Sequence, residues 1–577
     1  MKVSQTQYDI AVYDQSLVVV SVPGSGKTLT LVAKISHIIQ HSAECVVLVT
    51  FTNSAAKELS ERLESVIGKD NLANRVVVGT FHALMIAHLE KHTKYKSVSL
   101  EDQANYLHRL YYRSFETYDN YDNFEHYFHQ YHSKTINKVN PSYEQLIAEY
   151  YETIVKDKGI SLSHILNSGV DLIKEGQVPL FNCDWLMVDE FQDVDSVQLD
   201  LVLLHGLMGK KVAAVGDGDQ AIYDWRGSLS DAAFESVINK LNAKMFMLDY
   251  NYRSHSEILV LANKLISHNS GRIEKVLKSV KGPGATILAR KLPTPYEEAK
   301  YIAECLKNHR EGDVGIICRT NKRLDVIEEV FAEVGIEYVR NASNNQLTQL
   351  CVKVFVALLK GIDYRNVHAI ESAIEPIVES HEIAKEIAIY CLKSTSIPIQ
   401  SKQFQTFANA LSEVRELFNH KVYNKGINII KNHLVPLMSR KGINNTFLIE
   451  NLAYRLTKLK GNISQRLIML QSNKSSQSKI ELMTAHASKG LQKEIVFICG
   501  CNEDIYPMNP KQGKPVNIKE ERRLFFVAIT RAIRKLVLTC VEGTANKPNY
   551  YAISRFFAEM EISTEDIKTE HVENESC

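Results

Sequence analysis

Short apolar runs alternate with amphipathic helical patterns in two separate regions of the chain. In the first region the apolar runs lie at 17–20, 46–50, 76–79, 185–188 and 211–215. In the second region they lie at 285–289, 314–318, 337–339, 480–483, 495–499 and 536–539. Continuous apolar runs of this length are typical of strands buried on both faces of a parallel sheet. The alternation predicts an α/β fold with two parallel sheets.

Long helical patterns without strand patterns interrupt each of the two regions. We predict a first α/β domain formed by 1–90 and 184–275, with a helical insertion at 91–183. A second α/β domain is predicted from 276–365 and 471–560, around a helical insertion at 366–470. The polar residues 561–577 are expected to form a frayed tail. A chain of 577 residues is long enough for several domains of this kind.

Composition narrows the class of protein only slightly. The net charge is +1, which does not favour nucleic-acid binding but leaves room for a local basic groove. No apolar run approaches the roughly 20 residues that cross a bilayer, and no secretory signal pattern opens the chain. The ten cysteines include no CxxC pair and are expected to be reduced thiols. These features predict a cytoplasmic protein without a membrane partner.

A glycine-rich segment, SVPGSGKT at 21–28, separates the first apolar run from a helical pattern. In this strand–loop–helix context, backbone amides at a helix N-terminus can surround phosphate oxygens, a lysine can neutralise the terminal phosphates, and a threonine hydroxyl can bind Mg²⁺. The loop therefore predicts a nucleoside triphosphate site. Its predicted nucleotide-binding residues are Ser21, Pro23, Gly24, Ser25, Gly26, Lys27, Thr28 and Leu29.

The apolar run 185–188 ends in the acidic segment DEFQD at 189–193. At the carboxyl end of a buried parallel strand, Asp189 can hold a magnesium ion together with Thr28. Glu190 can then orient or deprotonate the water that attacks the terminal phosphate. The pair of motifs predicts hydrolysis of the nucleotide rather than binding alone.

The order of further motifs resembles that of the UvrD/Rep/PcrA group of superfamily 1 DNA helicases, over nearly the whole chain. The matching segments are SVPGSGKT at 21–28, VTFTN at 49–53, GTFH at 79–82, DEFQD at 189–193, VGDGDQAIYDWRG at 215–227, NYRS at 251–254, LMTAHASKGL at 482–491, EERRL at 520–524 and AITRA at 528–532. The resemblance implies two RecA-like motor domains of the P-loop NTPase type, with ATP and Mg²⁺ bound in the cleft between them.

The resemblance also implies roles for individual residues of the nucleotide site. Arg253 and Arg531 would be arginine fingers from the second motor, and Gln220 would sense the terminal phosphate from the first. Tyr252 can stack on the adenine and Gln7 can bind its edge, with Gln5 as the alternative for that role. The predicted catalytic residues are Glu190, Lys27, Gln220, Arg253 and Arg531.

For DNA, the resemblance implies a single strand that crosses both motors with its bases stacked on aromatic rings. Phe51, Tyr223 and Trp225 match those aromatic positions, although core packing is the alternative for each of them. Hydroxyls and basic groups would contact the backbone or the bases. The candidates for these contacts are Thr52, Thr80, His82, Arg226, Thr484 and His486.

Several positions depart from the pattern of the family. Ser21 stands where the loop usually begins with glycine, and Leu29 where an arginine is common. Gln492 replaces the glutamate that meets the ribose, and Lys493 replaces an aromatic residue. Gln492 is kept as a predicted nucleotide-binding residue. The preference for ATP and for its sugar is therefore inferred from the resemblance.

A segment rich in tyrosine, phenylalanine and histidine lies in the first insertion at 111–132. Its histidines, His126, His129 and His132, recur every third residue, which is the spacing of a possible metal site. An aromatic helix packed in the insertion and a surface that stacks on nucleic acid are the alternatives. Among these we favour packing.

We predict an ATP-dependent helicase or translocase that moves 3′ to 5′ on single-stranded DNA and acts at single/double-strand junctions. Two other functions are consistent with the motifs. One is a translocase that remodels protein–DNA complexes. The other is a DNA-binding ATPase subunit that acts with a protein partner, such as a nuclease or a repair or defence factor.

Overall fold

The computed structural model describes most of the chain. The described residues are 3–94, 96–98, 107, 110–111, 113–115, 121–132, 139–156, 159–161, 164–307, 312–340, 350–378, 380–393, 402–440, 447–472, 479–509, 516–543, 551–563 and 567–569. Residues Met1–Glu337 with Ile480–Cys577 form one compact unit, and Tyr338–Lys479 form a second.

The strands and helices follow the predicted alternation. The strands are β1 Leu17–Ser21, β2 Val46–Thr50, β3 Val76–Thr80, β4 Lys96–Val98, β5 Gly159–Ser161, β6 Trp185–Val188, β7 Lys211–Gly216, β8 Lys244–Leu248, β9 Tyr250–Asn251, β10 Lys278–Ser279, β11 Thr286–Leu292, β12 Val314–Cys318, β13 Val339–Arg340, β14 Ile480–Thr484, β15 Lys493–Cys499, β16 Ala532–Val541 and β17 Ile567–Thr569. The helices of the first unit are α1 Gln5–Val12, α2 Lys27–His41, α3 Asn53–Ile67, α4 Lys69–Arg75, α5 Phe81–His92, α6 Tyr121–His132, α7 Pro141–Lys156, α8 Ile165–Lys174, α9 Ser196–Leu207, α10 Asp231–Leu241, α11 Ser256–Ser267, α12 Pro295–Lys307 and α13 Asn321–Val334. The second unit contains α14 Leu350–Asp363, α15 Val367–Val378, α16 His381–Lys393, α17 Lys402–Asn419, α18 Tyr423–Arg440, α19 Phe447–Lys458 and α20 Ile463–Ser472; the first unit then ends with α21 Ile518–Ile529 and α22 Arg555–Glu559.

The first sheet has the order β3-β2-β6-β7-β1-β8, with every neighbouring pair parallel. Its central strands are apolar and buried on both faces, with helices packed on each side. Parallel strands place their carboxyl ends at one edge, so the loops that follow β1, β2, β3, β6 and β7 meet there. The motifs predicted in this half follow these strand ends.

Strand β8 was not predicted from the sequence. Lys244 and Met245 are exposed and only Leu248 is buried, because β8 is the edge strand and pairs only with β1 within the first sheet. An edge strand needs no continuous apolar run, so the apolar pattern that marks the central strands is missing.

The first insertion contains a small aromatic core. The buried residues of this core come from α6, α7 and described helical residues that precede α6: Leu107, Leu110, Tyr111, Phe124, Tyr127, Phe128, Leu146, Ile147 and Tyr150. The described aromatic residues of the segment 111–132 are therefore mostly packed together, as favoured above. The side chains of His126, His129 and His132 lie outside the described residues. The insertion also holds the paired short strands β4 and β5, which the helical patterns did not predict.

The second sheet contains the order β14-β12-β15-β16-β11-β17, again with parallel neighbours. Its apolar strands are buried beneath α21 and α22, whose phenylalanines Phe525, Phe526 and Phe556 are buried. The fold class is thus the predicted one, with two parallel-sheet domains.

Three predicted boundaries differ from those of the structure: the end of the first α/β domain, the start of the tail and the bounds of the second helical insertion. Helix α11 was placed with the first domain, but Ile258, Leu259 and Leu265 pack into the core of the second sheet. The expected frayed tail contains β17, which pairs with β11 through backbone hydrogen bonds that a polar sequence can make as well as an apolar one.

The second helical unit is also wider than the predicted 366–470. Helix α14 contributes Phe355, Leu358 and Ile362 to the core of this unit. The unit spans Tyr338–Lys479 and its buried core is built almost entirely from aliphatic and phenylalanine side chains.

The cysteines follow the expectation of reduced thiols in part. Eight are free: Cys45, Cys183, Cys318, Cys351, Cys391, Cys499, Cys501 and Cys540. Cys305, on the partly exposed face of α12, is disulfide-bonded, so the expectation is wrong at this position. Among the described helices, none is long and apolar enough to cross a bilayer.

Candidate nucleotide and nucleic-acid site

The phosphate loop joins buried β1 to the N-terminus of α2. Gly26 caps α2 in the left-handed conformation (φ 82°), and no side chain caps the free amides of the first turn. A side chain at Gly26 would also strike Gln7, because its Cβ would lie 2.8 Å from Gln7 Nε2. The uncapped amides and the absence of a side chain leave this helix end open to an anion such as a phosphate.

Ser21, which stands in the place of a glycine, has a structural partner. Its hydroxyl donates to the backbone oxygen of Gly216 at 2.8 Å and is fully buried. This bond ties the start of the loop to the end of β7. The serine at 21 is therefore compatible with the loop fold.

Asn251 holds the loop from the side of the second sheet. Its Nδ2 donates to Pro23 O at 2.6 Å, and its Oδ1 accepts from the amides of Arg253 and Ser254 at 2.8 and 2.7 Å. The amide of Tyr252 donates to Gly24 O at 2.9 Å. The side chain of Tyr252 remains 44% exposed, and it borders the loop.

Of the two glutamines proposed for the base, only Gln7 reaches the phosphate loop. Gln7 is buried and donates to Ser25 O at 3.2 Å, while its Oε1 accepts from the amide of Ser4 at 2.9 Å. Gln5 is exposed and donates instead to Asp9 at 2.7 Å. The side chain of Gln7 and the backbone amide of Tyr252 therefore both contact the phosphate loop.

The acidic pair follows β6. Burial and the charge of Glu190 raise the pKa of Asp189 to about 7. Burial also disfavours ionised Glu190, but Lys27, Lys489 and a hydrogen bond from Gln192 outweigh it and lower the pKa to about 2. Glu190 has a left-handed backbone (φ 51°), which is strained for a residue with a side chain and turns the carboxylate at the strand end.

Gln192, within this acidic segment, and Lys489, from the second sheet, fix its position. Gln192 donates to Glu190 Oε2 at 2.6 Å and accepts from the amide of Asp217 at 2.8 Å. Lys489, from the second sheet's side of the cleft, forms an ion pair with Asp193 and donates to Gln220 O at 3.0 Å. Lys489 is buried against these groups, so it joins the two sheets at the acidic motif. The sequence motifs did not single out Gln192, Asp193 or Lys489 individually.

Gln220 and Arg531 meet across the same cleft. Gln220 Nε2 donates to Asp217 Oδ2 at 2.6 Å, and Gln220 Oε1 accepts from Arg531 at 3.0 Å. Arg531 follows the end of α21 and also donates to the backbone oxygens of Val527 and Leu491. The predicted sensor of one sheet and the predicted finger of the other are thus directly bonded.

The two predicted fingers lie near the acidic motif but are not held by carboxylates in direct contact. Burial lowers the pKa of Arg253 to about 10, and burial with the nearby charge of Arg253 lowers the pKa of Arg531. Arg253 donates to Gln492 Oε1 at 3.1 Å and Thr530 O at 3.0 Å. Among the described residues, neither guanidinium forms an ion pair with a carboxylate. Such a pair of buried cations is stabilised by a bound polyanion.

The metal site predicted from Thr28 and Asp189 fits the same chemistry. Thr28 lies in the first turn of α2, and Asp189 follows the strand two places away from β1 in the sheet. The raised pKa of Asp189 expresses the cost of a buried carboxylate that faces Glu190, and a divalent cation would offset that cost. The oxygen donors are of the kind that Mg²⁺ prefers.

The predicted DNA residues form two clusters at the carboxyl edges of the sheets. The centroid of the Tyr223 ring lies 5.1 Å from Lys489 Nζ and 6.4 Å from the centroid of the His486 ring. The Arg226 guanidinium lies 4.5 Å from the ring of Trp225, which is 44% exposed. Burial lowers the pKa of His486 to about 4, so His486 is neutral at physiological pH. The exposure of Trp225 argues against the alternative of core packing.

The second cluster follows β2 and β3. Thr52 and Thr80 cap α3 and α5, accepting from backbone amides at 3.1 and 3.2 Å, which leaves each hydroxyl hydrogen free to donate. Thr484 accepts in the same manner from Ala487 at 3.3 Å. Phe51 is half-buried and packs against the first core, 6.1 Å from Phe81. Core packing thus accounts for part of the Phe51 ring.

The remaining predicted residues have plain surroundings. His82 lies in the first turn of α5, and burial lowers its pKa. Lys493 on β15 forms an ion pair at 2.5 Å with Glu481 on β14, across the intervening β12, which explains a charged residue at an expected aromatic position. Leu29 is half-buried on α2 and makes no polar contact that replaces an arginine.

Comparison with known proteins gives consistent matches. The family model of the UvrD-like helicase C-terminal domain matches residues 246–375 and 341–543, and that of an AAA domain matches residues 5–226. The "ATP-dependent DNA helicase PcrA" of Leuconostoc citreum is 25% identical over 96% of this chain and 83% of its own length. The "ATP-dependent DNA helicase Rep" of Buchnera aphidicola subsp. Baizongia pistaciae is 26% identical over 89% of this chain and 88% of its own. The "DNA helicase II" of Escherichia coli K12 is 27% identical over 96% of this chain and 86% of its own. Because the helicase model spans more than half of a chain whose site residues meet in one cleft, this protein belongs to the UvrD-like helicase family.

Proposed function

We propose that this protein is an ATP-dependent DNA helicase that hydrolyses ATP in the cleft between its two parallel-sheet domains. The observation that carries the proposal is the hydrogen bond of 3.0 Å between Arg531 of one domain and Gln220 of the other. The proposed sensor of the terminal phosphate and the proposed group that neutralises it are thus in direct contact. ATP binding at this point would change the contact between the two domains, which is what a motor requires.

In this proposal the phosphate loop binds the triphosphate. The amides of the first turn of α2 and the ammonium of Lys27 bind the phosphate oxygens, and Ser25 and Gly26 keep the loop open. Thr28 and Asp189 hold Mg²⁺, which when bound neutralises phosphate charge. Gln7 and Tyr252 border the loop where the base would lie, and Gln492 lies beside Arg253.

Glu190 is the proposed base for the attacking water. Its low pKa of about 2 keeps it ionised, and the hydrogen bond from Gln192 fixes one carboxylate oxygen. Arg253 and Arg531 are the proposed fingers that stabilise the charge of the transition state. Both are positioned by hydrogen bonds to backbone oxygens rather than by carboxylates, so their charge is available to the phosphates.

The DNA strand is proposed to follow the carboxyl edges of both sheets. Trp225, Tyr223 and Phe51 would stack on bases, while Arg226, His82 and His486 with the three threonines would contact the strand. Movement 3′ to 5′, opening of junctions and a cytoplasmic location are proposed from the family resemblance. The ordered cluster of Tyr223, Trp225, Arg226 and His486 supports the part of the path nearest the cleft.

The test is ATP hydrolysis by the purified chain with and without single-stranded DNA, followed by unwinding of duplexes with a 3′ or a 5′ tail. We expect strong stimulation by DNA and unwinding from the 3′ tail. Lys27→Ala is the control for contaminating ATPase. Stimulated hydrolysis without unwinding would instead support a translocase that remodels protein–DNA complexes. DNA binding without stimulation would contradict the proposed motor and support a partner-dependent subunit.

A further inference from the structure

Next to the cleft lies a buried cluster of charges that the proposed chemistry does not use. Lys275 Nζ lies 3.0 Å from Asp217 Oδ1 and 2.8 Å from Asp219 Oδ2. Arg272 donates to both oxygens of Asp219, at 2.8 and 2.7 Å. The side chains of Lys275, Asp217 and Asp219 are at most 2% exposed. Two cations thus form direct ion pairs with two carboxylates, and a third buried carboxylate, Asp231, lies close by.

The cluster is packed around the turn that carries Gln220. Asp217 caps this turn by accepting from the amide of Asp219 at 3.1 Å. Gly218, between the two carboxylates, has no room for a side chain, because its Cβ would lie 1.8 Å from Asp231 Oδ1. The turn therefore has little freedom to move while the cluster is intact.

The segment that supplies the two cations is fixed to both domains. Asn269 donates to Lys519 O at 3.0 Å and accepts from Arg522, on the helix that covers the second sheet. Further along, the amide of Ile273 donates to Asp231 Oδ2 at 3.3 Å, and the side chain of Ile273 packs on the first core. The segment 269–275 is thus a short structural link between the domains beside Gln220.

Asp217 decides which way the carboxamide of Gln220 is turned. An ionised carboxylate can only accept hydrogen bonds, so Asp217 Oδ2 binds the amino group of Gln220 and leaves Oε1 to face Arg531. The opposite orientation would set two acceptors together at Asp217 and two donors together at Arg531. Lys275 Nζ lies 3.0 Å from Asp217 Oδ1 and supplies the opposite charge that such a fully buried carboxylate requires.

We propose that Asp217 and Lys275 are positioning residues that hold the Gln220 carboxamide with its oxygen toward Arg531. Lys275 belongs to the link between the domains, so a change in domain contact would reach Gln220 through this ion pair. The inference deepens the proposed function and rests on the role of Gln220 in ATP hydrolysis.

The test is the steady-state kinetics of ATP hydrolysis by Asp217→Asn in the full-length chain with single-stranded DNA. Asparagine has the same shape but offers an amino group, so the Gln220 carboxamide is no longer held in one orientation. We expect kcat to fall about 10- to 100-fold, as misplacement of a reacting group does, while KM for ATP changes less than about threefold. Asp249→Asn is the matched control, because Asp249 pairs with exposed Lys278 at 2.5 Å in the same part of the chain. It should leave both constants unchanged.

A double-mutant cycle with Gln220→Ala separates positioning from a general structural effect. If Asp217 acts through Gln220, Asp217→Asn should lower kcat in the wild-type background and cause no further loss in the Gln220→Ala background. Two results would overturn the inference but leave the proposed role of Gln220 intact. One is an equal loss of kcat from Asp217→Asn in both backgrounds. The other is no loss of kcat from Asp217→Asn in either background although Gln220→Ala itself lowers kcat. Normal kcat in Gln220→Ala would overturn the proposed role of Gln220 and the inference with it.

Loss of folding is controlled by a neutral variant. Asp217→Asn/Lys275→Met removes one charge of each sign and leaves the Arg272–Asp219 pair intact, so the net charge of the buried cluster is unchanged. If Asp217→Asn melts far below the wild type, this double variant takes its place in the cycle. The same non-additive loss of kcat is expected for it, and additivity would again contradict the inference.

Discussion

The cleft between the two sheets and the core of the helical unit Tyr338–Lys479 are both buried, but they are built from opposite kinds of side chain. The cleft holds buried Gln220 and Arg531 and half-buried Glu190 and Lys489 in hydrogen-bonded contact. The helical unit buries leucine, isoleucine and phenylalanine around α14 to α20. Burying charge costs free energy unless each group has a partner, whereas apolar burial stabilises the fold directly. The comparison separates residues kept for chemistry from residues kept for stability.

The largest expected effect is on turnover, from Arg531→Gln. Glutamine keeps a polar side chain in the cleft but removes the positive charge that faces the phosphates. Loss of an arginine finger lowers kcat by about 10³-fold or more. Stopped-flow or coupled-assay measurement of kcat checks this, with melting temperature as the control for folding. A loss of less than about tenfold would contradict the assignment of Arg531 as a finger.

Glu190→Gln is a second test of the cleft. The amide cannot accept the proton of the attacking water, so kcat should fall by about 10²- to 10⁴-fold while ATP still binds. Equilibrium binding of a fluorescent ATP analogue, measured beside hydrolysis, distinguishes the two steps. Glu304→Gln, at an exposed pair with Lys307, is the matched control. Full activity of Glu190→Gln would show that another group is the base.

Phe355→Ala tests the apolar core of the helical unit. Phe355 is fully buried in the core of the helical unit, and its truncation leaves a cavity that costs about 3–5 kcal/mol. Urea unfolding should show this loss, whereas kcat per folded molecule should stay near the wild-type value. A variant with normal stability would contradict the packing described for α14.

His205 provides a smaller test, at a buried polar group outside the cleft. Its Nε2 accepts from the amide of Phe181 at 3.0 Å and its Nδ1 faces Leu201 O at 2.8 Å, so the ring is held neutral, and burial lowers its pKa to about 4. A depressed folded-state pKa stabilises the protein above about pH 6.5 and loses that contribution as the pH falls toward 4, by about 2 kcal/mol at pH 5. The pH dependence of urea unfolding checks the sign. His205→Gln should lose stability at pH 7.5 but show a shallower decrease toward pH 5, and an unchanged slope would contradict the assignment.

Trp225→Ala should have the smallest effect. The ring is 44% exposed, so its loss should cost little stability, and a single base stack contributes about 1 kcal/mol at the lower end of the usual range. We expect weaker single-stranded DNA binding by fluorescence anisotropy, and a larger loss of DNA-stimulated than of basal hydrolysis. Equal loss of both activities would indicate a structural role for Trp225.

Sequence patterns predicted best those structural features that a single strand or a single loop determines. The central strands, the phosphate loop and the acidic segment after β6 were all recognised, because apolar runs and glycine turns are local signals. Edge strand β8 and the pair β4–β5 were not, since half-exposed strands lack such runs. In the cleft, the contacts of Lys489 with Asp193 and of Lys275 with Asp217 join residues far apart in the chain. Only the folded structure brings such pairs together, so their roles were missed although three of the four residues lie in recognised motifs.

Strand β11 illustrates a consequence of this topology for protein synthesis. Within the second sheet β11 pairs with β16 and β17, which end at residues 541 and 569, so β11 leaves the ribosome more than 200 residues before its partners. The first sheet, by contrast, is complete once Lys244–Leu248 has been made. A nascent chain therefore acquires its phosphate loop and acidic pair early, while the sheet on the other side of the cleft cannot close until translation is almost finished. Fragments from interrupted synthesis would lack Arg531, which is among the last site residues to be added. We expect such fragments to bind nucleotide weakly or without productive hydrolysis.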